Sequence, residues 1–158
     1  MRSEPFGAEL IERYLRTRRL QYFRGHHDEE YFFILKTSHG PLHVHVEIPS
    51  ADRELFTIRV TPPYFLPQTH RSWLMRFSRR WHRRSPSTKA VIYRSTVPDR
   101  VGVAAESAVL VGDGIAFADF ALYMDHAIAS AIKLFGEISS RLKLQSPRTP
   151  EPWLRDAG

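Results

Sequence analysis

Three extended runs lie close together in the first half of the chain: "EYFFILKT" (30–37), "LHVHVEI" (42–48) and "LFTIRVT" (55–61). Only "SHGP" and "PSADRE" separate them, and neither can hold the crossover that a parallel pair requires. The runs must pair as an antiparallel meander. Leu42, Val44, Val46 and Ile48 alternate with His43, His45 and Glu47, and Phe56, Ile58 and Val60 occupy alternate positions in the third run. Each alternation puts its apolar set on one core-facing side. The first run is apolar on both faces, which predicts a central strand or one covered twice. Gly40 and Pro41 mark the first turn.

Helical periodicity appears on either side of this meander. In "SEPFGAELIERYLRTRRL", Phe6, Leu10 and Tyr14 recur every fourth residue beside Ile11 and Leu15, with Ser3 placed to cap and Pro5 to open the helix. Arg16, Arg18 and Arg19 at its end complement the negative helix terminus. A second helix falls within "HRSWLMRFSRRWHRRSPSTK" (70–89). "KAVIYRST" and "RVGVAAESAVLV" read as two more strands around a "VPDR" turn. Ala121, Met124, Ile128, Ala131, Phe135, Ile138 and Leu142 then trace a long helical stripe. The order α-β-β-β-α-β-β-α does not alternate strand with helix singly, so the expected class is α+β with an antiparallel sheet of about five strands. Residues 1–142 read as a single domain and 143–158 as a Pro-rich tail carrying Trp153 and Leu154.

Charge is unevenly placed. The formal net charge is +6, yet residues 70–89 alone hold six arginines, one lysine and no acid. On a helical wheel Trp73, Leu74, Phe77 and Trp81 share an arc of roughly 100°, the width of a core-facing stripe, while Arg76, Arg79, Arg80 and Arg83 collect on one flank. The aromatics are therefore expected inside and the arginines in water. Such a flank suits phosphate groups, which it would bind with little sequence selectivity, or an acidic protein surface.

Catalytic signatures are missing. There is no cysteine, which excludes disulfides, thiolate metal sites and a Cys nucleophile and suits a reducing compartment. No nucleophile elbow, P-loop or zinc-protease motif occurs. The N-terminus has charges where a secretory segment would be apolar, and no run is of membrane-spanning length, so a soluble cytoplasmic protein is expected. His43 and His45 share one strand face with Glu47, and His26-His27-Asp28 lies just upstream; the two strand histidines are weak metal candidates, with a carboxylate as third ligand, and no cofactor is expected.

The helix ending "RFSRRWHRR", the strands "KAVIYRST" and "GVAAESAVLVGDG", and the helix "ADFALYMDHAIASAIKLFGEI" together resemble the actinobacterial branch of the YbjN-like family. That branch closes its middle helix with a tryptophan–asparagine–arginine type motif; Trp81 and Arg83 match it, and His82 stands where the asparagine falls. The resemblance implies a fold like that of type III secretion chaperones and a non-enzymatic, often dimeric, chaperone-like or regulatory protein that binds other proteins.

The residues point the same way. An apolar sheet face without its own helix must meet another chain or part of this one. Phe32, Ile34 and Tyr93 are the candidates for that surface, with Arg76, Arg79, Arg80 and Arg83 as a basic rim; the occupant would be a second copy, a protein client, or the tail with Trp153 and Leu154. The alternative is a nucleic-acid-associated regulator working through the arginine flank.

Overall fold

The computed structural model describes residues 2–143 of the 158. It contains three α-helices, α1 (Ala8–Thr17), α2 (Arg71–Arg84) and α3 (Phe117–Leu142), with a 3-10 turn at Gln68–His70 leading into α2. Seven strands accompany them: β1 (Tyr22–Arg24), β2 (Glu30–Thr37), β3 (Gly40–Glu47), β4 (Leu55–Thr61), β5 (Leu66–Pro67), β6 (Lys89–Arg94) and β7 (Arg100–Leu110). All pair antiparallel in one sheet, as the short connections require. The class is α+β, with five long strands where the sequence places them and two short ones, β1 and β5, in addition.

β1 to β4 follow one another across the sheet, and β7 comes next. β4 and β5 lie end to end along one side of β7, because Ala105 pairs with Val60 and Val101 with Leu66. β6 runs along the other side, pairing Ala90 with Ala105 and Arg94 with Val101. The two edges are thus β1 and β6.

Register sends the alternating apolar residues to one face. Tyr31, Phe33, Leu42, Val44, Val46, Phe56, Ile58 and Val60 are all buried there, in a core shared with the helices. Phe56 and Phe120 stand edge to face at 5.3 Å, and Phe6 meets both at 5.2 and 5.3 Å. Each such pair stabilises by about 1 kcal/mol beyond the area it buries. Met124, Ala131, Leu134, Phe135 and Ile138 continue the buried stripe of α3. The helix ends at Lys143, whose φ of 51° is left-handed.

Two local expectations change. Ser3 and Pro5 do not open α1: it starts at Ala8 behind Gly7, and Glu4 instead forms a two-way backbone bridge with Ile115 at 3.0 Å. β2 is neither central nor covered twice; it lies second from the edge, and Phe32 and Ile34 are 40% and 49% exposed. The helices occupy only the other face.

Candidate functional site

The helix-free face is built by the strand positions that the core does not use. From β1 and β2 it presents Phe23, Phe32 and Ile34; Phe23 is opposite Phe32 across the ladder and is 68% exposed. These three make a small apolar patch beside the β1 edge. Phe23 escaped the sequence reading because a three-residue strand has no measurable period. Single exposed apolar residues are ordinary, whereas these three are neighbours on one uncovered face, which makes them the candidate surface.

Next to the patch the face turns polar. The His45 imidazole stacks on Phe32 with centroids 4.5 Å apart and planes 17° apart. Its Nε2 lies 3.0 Å from Glu30 Oε2. His27, from the loop before β2, sits 3.1 Å from Glu47 and 3.9 Å from Glu30. Burial works against ionisation of Glu30, but the His26 N–H, His45 and the positive potential of both rings outweigh it and hold the carboxyl below its usual range. His43 is the next outward residue along β3, opposite Ile34 and Thr61, and burial pushes its imidazole below the usual value. The pair His43 and His45, singled out in the sequence, is therefore divided: only His45 joins the carboxylates, and His27 supplies the second imidazole.

Tyr93 lies on the same face but far from Phe32. β3, β4 and β7 intervene between their strands, about 19 Å at the usual strand spacing. Its ring crosses Gly102, where an added Cβ would approach Tyr93 Cζ to 2.3 Å. The Arg59 guanidinium covers the ring at 4.9 Å and pairs with Glu106. Tyr93 is thus held in a local stack and is not part of the apolar patch.

α2 occupies the opposite corner. Leu74, Phe77 and Trp81 are buried and Trp73 is half-buried, with Trp73 stacked on Phe77 at 5.2 Å. Arg76, Arg79, Arg80 and Arg83 are all exposed, so charge and aromatic sides separate as the wheel places them. None of these four has an ion pair among the described residues, whereas Arg84 pairs with Glu137 at 2.9 Å. Arg80, Arg83, Arg84 and Arg141 line a cleft of about 280 Å³ between α2 and α3, with Phe77 and Glu137. The arginine flank lies beyond the β6 edge, on the helix side of the sheet. It does not rim the patch of Phe32 and Ile34, because helix and patch stand at opposite edges. The tail with Trp153 and Leu154 lies outside the described residues.

A two-layer α+β protein, one antiparallel sheet with its helices on a single face, is the class these features define. No protein-family model matches the sequence, and no curated protein is significantly similar to it. The backbone is similar to that of YbjN from E. coli, whose crystal structure is described as that of "a putative transcription regulator". The TM-score is 0.70 over 89% of this chain and 97% of that one, with 9% of residues identical. The two share a fold, which is what the resemblance noted in the sequence implies. No helix among the described residues is long and apolar enough to cross a membrane.

Proposed function

We propose that this chain is a non-enzymatic protein-binding module that acts as a homodimer in the cytoplasm, in a chaperone-like or regulatory role. The observation that carries the reading is the patch of Phe23, Phe32 and Ile34, exposed on a sheet face that no helix covers. Two copies meeting across a two-fold axis would bury each other's patch, and a self-complementary surface needs no further partner. The actinobacterial branch of the YbjN-like family belongs to the same proposal, resting on Trp81, Arg83 and the elements that follow. So does the division into a domain of 1–142 and a tail of 143–158.

Light scattering on the full chain at micromolar concentration tests this. The expected result is a dimer that becomes a folded monomer on Phe32→Glu with Ile34→Glu. A wild-type monomer, or a dimer untouched by the double substitution, overturns it.

A second reading rests on a separate observation. Arg76, Arg79, Arg80 and Arg83 are exposed without acidic partners among the described residues, so their charge is available to phosphate oxygens. A protein that binds nucleic acid through α2 would present this flank to the backbone of a duplex.

A further inference from the structure

Glu30 and Glu47 are direct partners across the β2–β3 ladder. Like charges placed opposite each other in a sheet repel. Elsewhere among the described residues the ion pairs join a carboxylate to an arginine: Glu4 to Arg13, Glu12 to Arg16 and Arg24, Asp125 to Arg18, Glu29 to Arg53, Glu106 to Arg59 and Glu137 to Arg84. Among the described residues, Glu30 and Glu47 have only histidines as ionic partners. Arg59, opposite His45 across the β3–β4 ladder, is turned to Glu106 and Tyr93, and Arg24, opposite Tyr31, is paired with Glu12.

We propose that His27, Glu30 and Glu47 are the ligands of a zinc-type divalent cation, and that His45 is a positioning residue that holds Glu30. The one nitrogen and two carboxylate oxygens lie within 4.8 Å of one another. Ligands on a tetrahedral zinc at about 2.05 Å stand about 3.3 Å apart, and His27 lies 3.1 Å from Glu47 and 3.9 Å from Glu30. An imidazole with carboxylates favours a borderline metal over calcium or magnesium, which take oxygen ligands. Two carboxylates balance the cation's charge, and three protein ligands leave the fourth position to water.

The surroundings hold the ligands before any metal arrives. His26 donates its N–H to Glu30 Oε1 at 2.7 Å, leaving Oε2 turned to the histidines. Gly25 makes room for that side chain, since an added Cβ would stand 1.9 Å from Glu30 Oε1. Phe32 fixes the plane of the His45 ring, and such outer partners orient metal ligands.

Calorimetric titration of the metal-free full chain with zinc alone at neutral pH tests the site. One equivalent should bind and raise the unfolding temperature. His27→Ala and Glu47→Gln should each weaken binding about 100-fold or more, and His45→Ala by about 10- to 100-fold. His126→Ala, on α3, should leave it unchanged. Circular dichroism checks that each variant is folded. No binding by the wild type overturns the proposal, as does binding that survives both His27→Ala and Glu47→Gln in folded protein. Oligomeric state plays no part in this readout, so the dimer and the metal site stand or fall separately.

Discussion

The indole N–H of Trp81 donates to the main-chain carbonyl of Thr88 at 2.9 Å, tying α2 to the start of β6. Two further side chains complete the seam. Ser78 Oγ donates to the Ala90 carbonyl at 2.9 Å, and His82 Nε2 accepts the Ala90 N–H at 3.0 Å. β6 is an edge strand, and its outward backbone groups would otherwise invite another strand. α2 therefore both fills the core with its aromatic side and caps the start of this edge with its polar contacts at Thr88 and Ala90. The imidazole of His82 thus takes part in the seam through the β6 backbone.

Trp81→Phe removes the donor, leaves the buried Thr88 carbonyl unpaired and opens a gap beside Phe77. A loss of about 2–3 kcal/mol is expected, read as a lower urea midpoint at unchanged slope. A change under about 0.5 kcal/mol would show that the seam does not hold the helix.

Replacing Arg76, Arg79, Arg80 and Arg83 together by glutamine touches no ion pair among the described residues, so stability should change little. If α2 binds duplex DNA, four phosphate contacts predict roughly a 100-fold loss of affinity between 50 and 200 mM salt. The quadruple variant should lose binding at the lower salt. A wild-type chain that shifts no duplex at low salt removes the second reading.

Asp125 reports on the α1–α3 contact. It accepts from Tyr14 Oη at 2.6 Å and from Arg18 at 2.6 and 3.1 Å. The Arg18 hydrogen bonds lead in lowering its carboxyl pKa, with help from Tyr14 and against burial. A folded pKa below the unfolded one gives stability that is present above about pH 4 and lost as pH falls through the folded value. Urea midpoints should therefore fall less steeply with acid in Asp125→Asn than in the wild type. Glu30, also depressed, keeps part of the slope in both proteins. Parallel acid profiles would show that the contact contributes nothing.

Strands were legible where the side chains obey one rule over enough residues. "EYFFILKT" and "LFTIRVT" coincide with β2 and β4 to the residue. β1 and β5, three and two residues long, carry no period that could reveal them. The doubly apolar β2 misled about its own position: Phe32 and Ile34 indicate a buried face by composition, but no helix reaches that side. Site residues fared similarly. Spacing alone put His45 on one strand face with Glu47, but its partner Glu30 comes from β2, and His27 reaches the two carboxylates only because the loop before β2 folds over the ladder.

By itself the sequence determined the three helices and the five long strands, that these strands pair antiparallel, and that α2 turns its tryptophans inward and its arginines outward. Those are consequences of periodicity and connection length, which act over a few residues. Tertiary structure alone decided that all three helices take one face of the sheet, that Tyr93 and the α2 arginines stand at the edge opposite Phe32, and that His27 meets Glu30 and Glu47. Strand order sets these distances, and it arises from pairing between distant segments, such as β4 with β7, that no local pattern encodes.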